Sequence, residues 1–296
     1  ITGVRPSFHK VDLTDKEKLN SVLKEFGDKV DSVIHFAAKK AVGESVENPL
    51  LYYKNNLEGL LNLLTEMQSY SISKLVFSSS CTVYGQPDVI PVTEKTERKQ
   101  AESPYGNTKR ISEDIISDTC TASNLRAISL RYFNPIGAHE SGEIGELPVG
   151  TPNNLVPYVT QTAAGIREKL TIYGDDYPTD DGTCVRDYIH VVDLAKAHLR
   201  ALERLDVDKY KASNHEFFNV GTGNGTSVLE VVNTFEQATG VNVPFEIGPR
   251  REGDITEIFA DTALAEKELN WKAELSLRDA LASSWNWEKN YRNKVE

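Results

Sequence analysis

Between Val30 and Arg131 the chain switches repeatedly between strand-like and helix-like hydrophobic patterns, and that alternation limits the folds open to it. Residues 30–37, Val-Asp-Ser-Val-Ile-His-Phe-Ala, read as a buried strand rich in β-branched and aromatic residues. A long helix is expected after Pro49, with Leu57, Leu60, Leu61, Leu64 and Met67 as its apolar stripe. Leu75–Ser78 is the next strand, a helix opens at Pro104, and Ala127–Arg131 is another strand. Upstream, a short strand-like stretch ends at Asp12-Leu13, and Thr14 or Asp15 can cap a helix through Leu19, Val22, Leu23 and Phe26. Alternation at this pace predicts an α/β fold: a parallel sheet with helices on both faces.

The texture changes after Asn134-Pro135. Residues 137–154 are rich in Gly, Pro and small polar residues and read as a long functional loop. Strands are expected near 171–173, 217–220 and 245–247, and helices over 155–168, 191–205, 227–239 and from Leu277 onward. This divides the chain into a first part, 1–152, and a smaller mixed α/β lobe, 153–296.

Composition excludes several classes of function. The net charge of −11, from 33 basic and 44 acidic residues among 296, argues against binding nucleic acid or an acidic membrane. It leaves room for a phosphate-bearing ligand, because a few local arginines suffice for that. No apolar run predicts a transmembrane helix and no signal-peptide pattern is visible. Three widely spaced cysteines, Cys81, Cys120 and Cys184, predict no disulfide framework and favour a reducing, cytoplasmic compartment. The six histidines show no zinc-type spacing, so no metal site is expected.

Tyr105 and Lys109 lie four residues apart on the helix that starts at Pro104, about 25 residues after the strand ending in Ser78-Ser79-Ser80. Helical spacing puts the phenol and the ammonium on one face, and Ile111, Ile115 and Ile116 carry the helix beyond Lys109. A nearby ammonium is expected to lower the phenol's pKa toward working pH, and a strand-end serine can hydrogen-bond the same substrate hydroxyl. The pattern predicts proton abstraction from an alcohol. Tyr70 and Lys74 share the spacing, but there the segment passes from helix to strand, so the two side chains need not share a face.

Several longer segments carry a resemblance. They are residues 36–45 (FAAKKAVGES), 52–56 (YYKNN), 77–85 (FSSSCTVYG), 104–109 (PYGNTK), 130–139 (LRYFNPIGAH), 152–155 (PNNL), 185–191 (VRDYIHV) and 250–254 (RREGD). In this order, and across nearly the whole chain, they resemble the UDP-glucose/UDP-galactose 4-epimerases, a family of extended short-chain dehydrogenases/reductases. The resemblance implies a Rossmann-like NAD-binding domain over 1–152 and a nucleotide-sugar lobe over 153–296. It implies that Tyr105 is the catalytic base, Lys109 its electrostatic partner and a ligand of the nicotinamide ribose, and Ser80 the hydroxyl that orients the sugar. The implied reaction oxidises the sugar at C4 to a 4-keto intermediate, which turns over and is reduced on its other face. Asp12, Leu13, Phe36, Ala37, Lys40, Asn55 and Phe133 match NAD contacts, beside Ser80, Tyr105 and Lys109. Asn134, Asn154, Leu155, Tyr173, Arg186, Arg251 and Asp254 match the nucleotide-sugar site, and Ile258 sits where the family gates pocket size. Ile there is expected to favour UDP-galactose and UDP-glucose over N-acetylated sugars. A homodimer built from helices of the first half, including the Tyr105 helix, is also implied.

One part of the pattern is missing. The family's glycine-rich turn between the first strand and first helix lets backbone approach the pyrophosphate at a helix N-terminus. The sequence begins where the family would already have finished that turn, so an N-terminal βαβ segment is expected to be absent. Weak NAD binding and an inactive or poorly folded chain are expected in consequence. Residues 221–225, Gly-Thr-Gly-Asn-Gly, follow a strand and precede a helix but lie too far downstream to replace it. Three alternatives remain open: a nucleotide-sugar 4,6-dehydratase, an N-acetylhexosamine 4-epimerase, and a non-catalytic Rossmann binding module. The dehydratase needs acids just after the catalytic hydroxyl, where Cys81 and Thr82 stand.

Overall fold

In the computed structural model, which describes residues 1–26, 29–207, 214–251 and 254–295, the first half runs α1 (Lys16–Phe26), β1 (Val33–His35), α2 (Val42–Glu47), α3 (Pro49–Tyr53), α4 (Gly59–Ser69), β2 (Lys74–Ser78), α5 (Pro104–Ala122), β3 (Arg126–Tyr132) and β4 (Asn134–Ile136). It continues with α6 (Leu155–Ala163), β5 (Leu170–Tyr173), β6 (Val185–Arg186), β7 (Tyr188–His190), α7 (Val191–Asp206), β8 (His215–Val220) and β9 (Thr226–Ser227). The last elements are α8 (Val228–Thr239), β10 (Phe245–Gly248), β11 (Glu257–Ile258), α9 (Ala263–Leu269) and α10 (Leu277–Val295).

The main sheet has the order β1-β2-β3-β8, with every pair parallel. Side chains alternate along each strand, so each face collects its own core. Leu75, Phe77 and Ala127 point to one side and pack with Leu19, Leu60, Leu64 and Ile116 of α1, α4 and α5. Val76, Ile128, Leu130, Phe218 and Val220 point to the other and meet Leu194, Ala197 and Ala201 of α7. Helices therefore cover both faces, as the alternation predicts. The outermost strand β8 and its covering helix α7 come from beyond residue 152.

A third core, centred on Phe235, Val232, Val159 and Leu281, joins α6, α8 and α10 around β5. Two short ladders, β10-β5 and β11-β6-β9, belong to this mixed region.

Several elements depart from the sequence expectations. The strand expected over 30–37 pairs only over Val33–His35. The helix after Pro49 contains a π-helical segment, Lys54–Glu58, which shifts the phase of everything that follows. The buried stripe of α4 is accordingly Leu60, Leu63, Leu64 and Met67, while Leu61 is 49% exposed. The helix expected to reach residue 168 stops at Ala163, because Gly165 turns left-handed at φ +73°. The stretch before Asp12 forms no strand.

Candidate active site

Parallel strands all present their carboxyl ends on one side, and ligands of open α/β sheets gather there. At that edge β2 ends in Ser78, and an extended Ser80 caps the short helical turn Cys81–Tyr84 by accepting from the Thr82 amide at 3.3 Å. Ser103 caps α5 by accepting from the Gly106 amide at 3.1 Å, with Pro104 in the first turn. That start sets the phase that buries Tyr105 and Lys109 together.

The Tyr105 phenol lies near enough to Ser80 for the serine to act on its titration. Lys109 Nζ donates to the carbonyl oxygen of Ser78 at 2.7 Å and stands 4.9 Å from the Phe77 ring centroid and 6.0 Å from that of Tyr105. All three side chains are buried. Burial governs their titration: it brings Lys109 down to about 8, with Glu113 acting the other way. Burial also pushes the Tyr105 phenol up; Tyr132 adds to the rise and Ser80 opposes it. The expected lowering of the Tyr105 pKa by Lys109 is thus corrected, because loss of hydration outweighs an ammonium that is turned to the Ser78 carbonyl.

Phe133 packs under the same segment, in a buried cluster with Cys81, Val83, Tyr84, Val92 and Ile258. Ile258 is 2% exposed and lies in the wall behind Cys81. At the end of β1, Phe36 remains 56% exposed with its ring 4.6 Å from that of His198, and Ala37 and Lys40 are exposed beside it. Asn55 is half-buried in the π-helical segment. Asp12 is exposed and accepts from the Thr14 amide and hydroxyl at 2.9 and 2.8 Å, while the Leu13 carbonyl accepts from Asn62 at 2.9 Å.

The residues expected at the nucleotide sugar form two groups. Arg251 grips Asp254 with two bonds of 3.2 and 2.7 Å, Arg186 approaches the same carboxylate at 4.0 Å, and the Arg251 guanidinium lies 5.7 Å from the Tyr173 ring. Glu252 and Gly253, part of the same sequence motif, lie outside the described residues. In the second group, Asn154 donates to Glu146 at 2.7 Å, and Lys40 reaches the same oxygen at 3.5 Å. Leu155 opens α6 beside Asn154, and the Asn134 amide donates to the Asp187 carbonyl at 2.9 Å.

Sequence reasoning passed over Asn56 and Glu146. Asn56 accepts from the Lys39 amide at 2.8 Å and donates to the Lys39 carbonyl and to Thr108, both at 3.0 Å, tying the loop after β1 to α5. Nothing in its local pattern separates it from Asn55. The turn at 221–225 is no phosphate cradle: the Thr222 and Gly223 amides donate to the buried Asp187 carboxylate at 2.8 and 3.0 Å. Among the described residues no group of three His, Cys, Asp or Glu could hold a metal ion, and no helix is long and apolar enough to cross a membrane.

Comparison with known proteins gives this geometry a context. The family model described as GDP-mannose 4,6 dehydratase matches residues 2–283. UDP-glucose 4-epimerase 2 of Arabidopsis thaliana is 52% identical over 97% of this chain and 81% of its own length. UDP-glucose 4-epimerase of Bacillus subtilis (strain 168) is 50% identical over 97% of this chain and 83% of its own. The chain belongs to the UDP-glucose 4-epimerase family. A solved epimerase from Bifidobacterium longum, in complex with NAD+ and UDP, superposes with a TM-score of 0.93 at 47% identity, covering 99% of this chain and 85% of that one.

The Bifidobacterium longum epimerase was solved with NAD+, so the fit of the residues here to that cofactor can be tested. Around Tyr105 and Lys109 they fit: a buried ammonium and phenol share one helix face, and the buried Thr82 hydroxyl has no hydrogen-bond partner of its own. Phe36 is exposed just past the end of β1, and Asn55 is half-buried in the π-helical segment that packs on α5.

Proposed function

We propose that this chain interconverts UDP-galactose and UDP-glucose with NAD as a resident cofactor. The observation that carries this reading is the buried cluster of Ser80, Tyr105 and Lys109 at the carboxyl edge of a parallel sheet, with Lys109 anchored to the Ser78 carbonyl. Support comes from relatives about half identical over nearly the whole chain and from the NAD+ and UDP complex of one of them.

In this reading Ser80 and Tyr105 bracket the sugar 4-hydroxyl. Tyr105 removes its proton and later returns it, so the phenol ends the cycle as it began. NAD held there would supply a hydride acceptor and donor for C4, together with a positive charge that favours the phenolate. Lys109 adds a second positive charge and would contact the nicotinamide ribose. Asp12, Leu13, Phe36, Ala37, Lys40, Asn55 and Phe133 would line the rest of the cofactor. Arg186 and Arg251 would take the pyrophosphate, since guanidinium forks match phosphate oxygens and Asp254 already holds both within reach. Asn134, Asn154, Leu155 and Tyr173 would complete the uridine side, and Ile258 would limit the sugar pocket.

This assignment treats 1–152 as the cofactor half and 153–296 as the substrate lobe. Three buried free cysteines suit a reducing cytoplasm. Exposed Val42, Val46, Leu50 and Leu51 on α2 and α3, beside α5, suit a homodimer.

The test is direct. Protein is denatured, released NAD is counted by enzymatic cycling, and UDP-galactose conversion is followed with and without added NAD. We expect UDP-glucose to form, which would refute the expectation of weak NAD binding and an inactive chain drawn from the missing glycine-rich turn, and Tyr105→Phe to lower kcat by roughly 10²–10⁴-fold. A folded parent protein that fails to convert UDP-galactose at saturating NAD overturns the reading.

A further inference from the structure

Glu113 is fully buried on α5, four residues beyond Lys109, and the chemistry above leaves it without a task. Its carboxylate takes four donors. Oε1 accepts from Ser79 Oγ at 2.7 Å and Arg131 Nε at 2.9 Å, and Oε2 from Arg131 Nη2 at 2.8 Å and Arg98 Nη1 at 3.2 Å. Arg131 of β3 is itself 3% exposed, and its Nη1 donates to the Tyr84 hydroxyl at 3.1 Å and the Glu94 carbonyl at 3.3 Å. Tyr84 in turn donates to Asn219 of β8 at 2.6 Å.

Ser79 and Tyr84 bound the short segment that carries Ser80. One end is fixed to the Glu113 carboxylate directly and the other through Arg131. The same carboxylate rides on the helix that carries Tyr105 and Lys109. A buried ion pair is a poor source of stability, because desolvation offsets most of its attraction, whereas its directional bonds hold geometry well. Here those bonds join the two backbone elements whose separation sets the distance between Ser80 and Tyr105.

Resting on the epimerase reading, we propose that Glu113 is a positioning residue: with Arg131 it holds the Ser80 segment against α5 so that the Ser80 and Tyr105 hydroxyls converge on one substrate oxygen. Misplacement of a reacting group by about an ångström costs on the order of 10²-fold in rate, so the tether has catalytic consequence. Glu113 also opposes the fall of the Lys109 pKa, a second contribution from the same carboxylate.

The test uses two variants of the full chain. Glu113→Gln keeps the shape but leaves Arg131 without its anion, and it can fail to fold. Ser79→Ala removes one tether with no change of charge, and it decides the matter. We expect Ser79→Ala to lower kcat about ten-fold with KM for UDP-galactose within about two-fold. Its crystal structure should show the Ser80 hydroxyl shifted away from Tyr105 relative to the parent. A folded Glu113→Gln should repeat both effects more strongly. A Ser79→Ala protein in which the Ser80–Tyr105 separation matches the parent's overturns the proposal, whether or not the parent turns over. A parent that fails to epimerise overturns the functional reading instead, and the crystallographic comparison still judges the tether.

Discussion

Lys109 donates to the backbone carbonyl of Ser78 at 2.7 Å, so the ammonium is anchored to the strand end from which the Ser80 segment departs. That bond fixes the charge beside the phenol while burial lowers the Lys109 pKa to about 8. Replacing the charge should separate chemistry from stability. Lys109→Met is expected to lose roughly 10²–10³-fold in kcat, with the sheet intact by circular dichroism. The folded-state value lies below the unfolded one near 10.5, so the unfolded chain holds the extra proton between them. The ammonium therefore costs stability below pH 8, and the cost fades as pH rises from about 8 to 10.5. Urea midpoints of the parent should gain on those of Lys109→Met across that window. A constant difference would show that Lys109 titrates normally in the fold.

Asp187 gives a stability prediction of a different origin. Its buried carboxylate accepts from Thr222 N and Oγ1 at 2.8 and 2.7 Å, Gly223 N at 3.0 Å and Ala260 N at 3.3 Å. Asp187→Ala strands amide donors that water cannot easily reach, each worth about 1–3 kcal/mol. A loss of about 3 kcal/mol in urea unfolding is expected. A loss below about 0.5 kcal/mol would mean that the turn at 221–225 rebuilds itself around the gap.

The two kinds of feature differed in how readable they were from sequence. The sheet was legible because short apolar-rich segments alternate with helix-like patterns, and the Tyr105 helix because Pro104 marks its start and Ile111, Ile115 and Ile116 continue it. The phase error at Leu61 arose because a π-helical segment leaves no signature in hydrophobic spacing. Placing β8 beside β3 was out of reach, since the partners lie about 90 residues apart and periodicity carries no pairing information. The triad was visible as a pattern, but the rise in the Tyr105 pKa depends on how deeply it is buried, which spacing alone does not encode. Glu113 looked like any helical carboxylate until Ser79, Arg98 and Arg131 were found converging on it.

Ile258 sets a prediction about substrate range. It is packed behind Cys81 with Phe133 at its side. Ile258→Ala removes three carbons from that wall and is expected to raise kcat/KM for N-acetylated UDP-hexosamines at least ten-fold relative to UDP-galactose. The substitution should also cost about 2–4 kcal/mol of stability, as cavity-forming changes in a core do. Competition between the two substrates in one assay reads the ratio directly. An unchanged ratio in a folded variant would place the sugar's 2-substituent away from this wall.

Buried histidines set the acid limit of the fold. Burial lowers His35 to about 4, with Lys109 adding to the effect, and lowers His215 to about 3, with Arg131 and Arg98 adding. His190 and His198 are lowered as well, again chiefly by burial. Each folded value lies below the unfolded value of 6.5, so as pH falls through that value the unfolded chain takes up protons that the folded chain refuses. Stability must then fall with pH by up to about 1.4 kcal/mol per unit for each such histidine. The window from pH 6.5 to 5 reports chiefly this effect, because ordinary carboxylates, with pKa near 4, are still largely ionised there, while Asp187 and Glu94, raised by burial, act in the opposite sense. Urea titrations at half-unit steps should give a steep decline, and His215→Gln, which keeps polar contacts to Ser117 and Ser129 within reach, should lessen the slope by about one proton. A profile that stays flat from pH 6.5 to 5 would mean that these rings are protonated inside the fold, contrary to their burial.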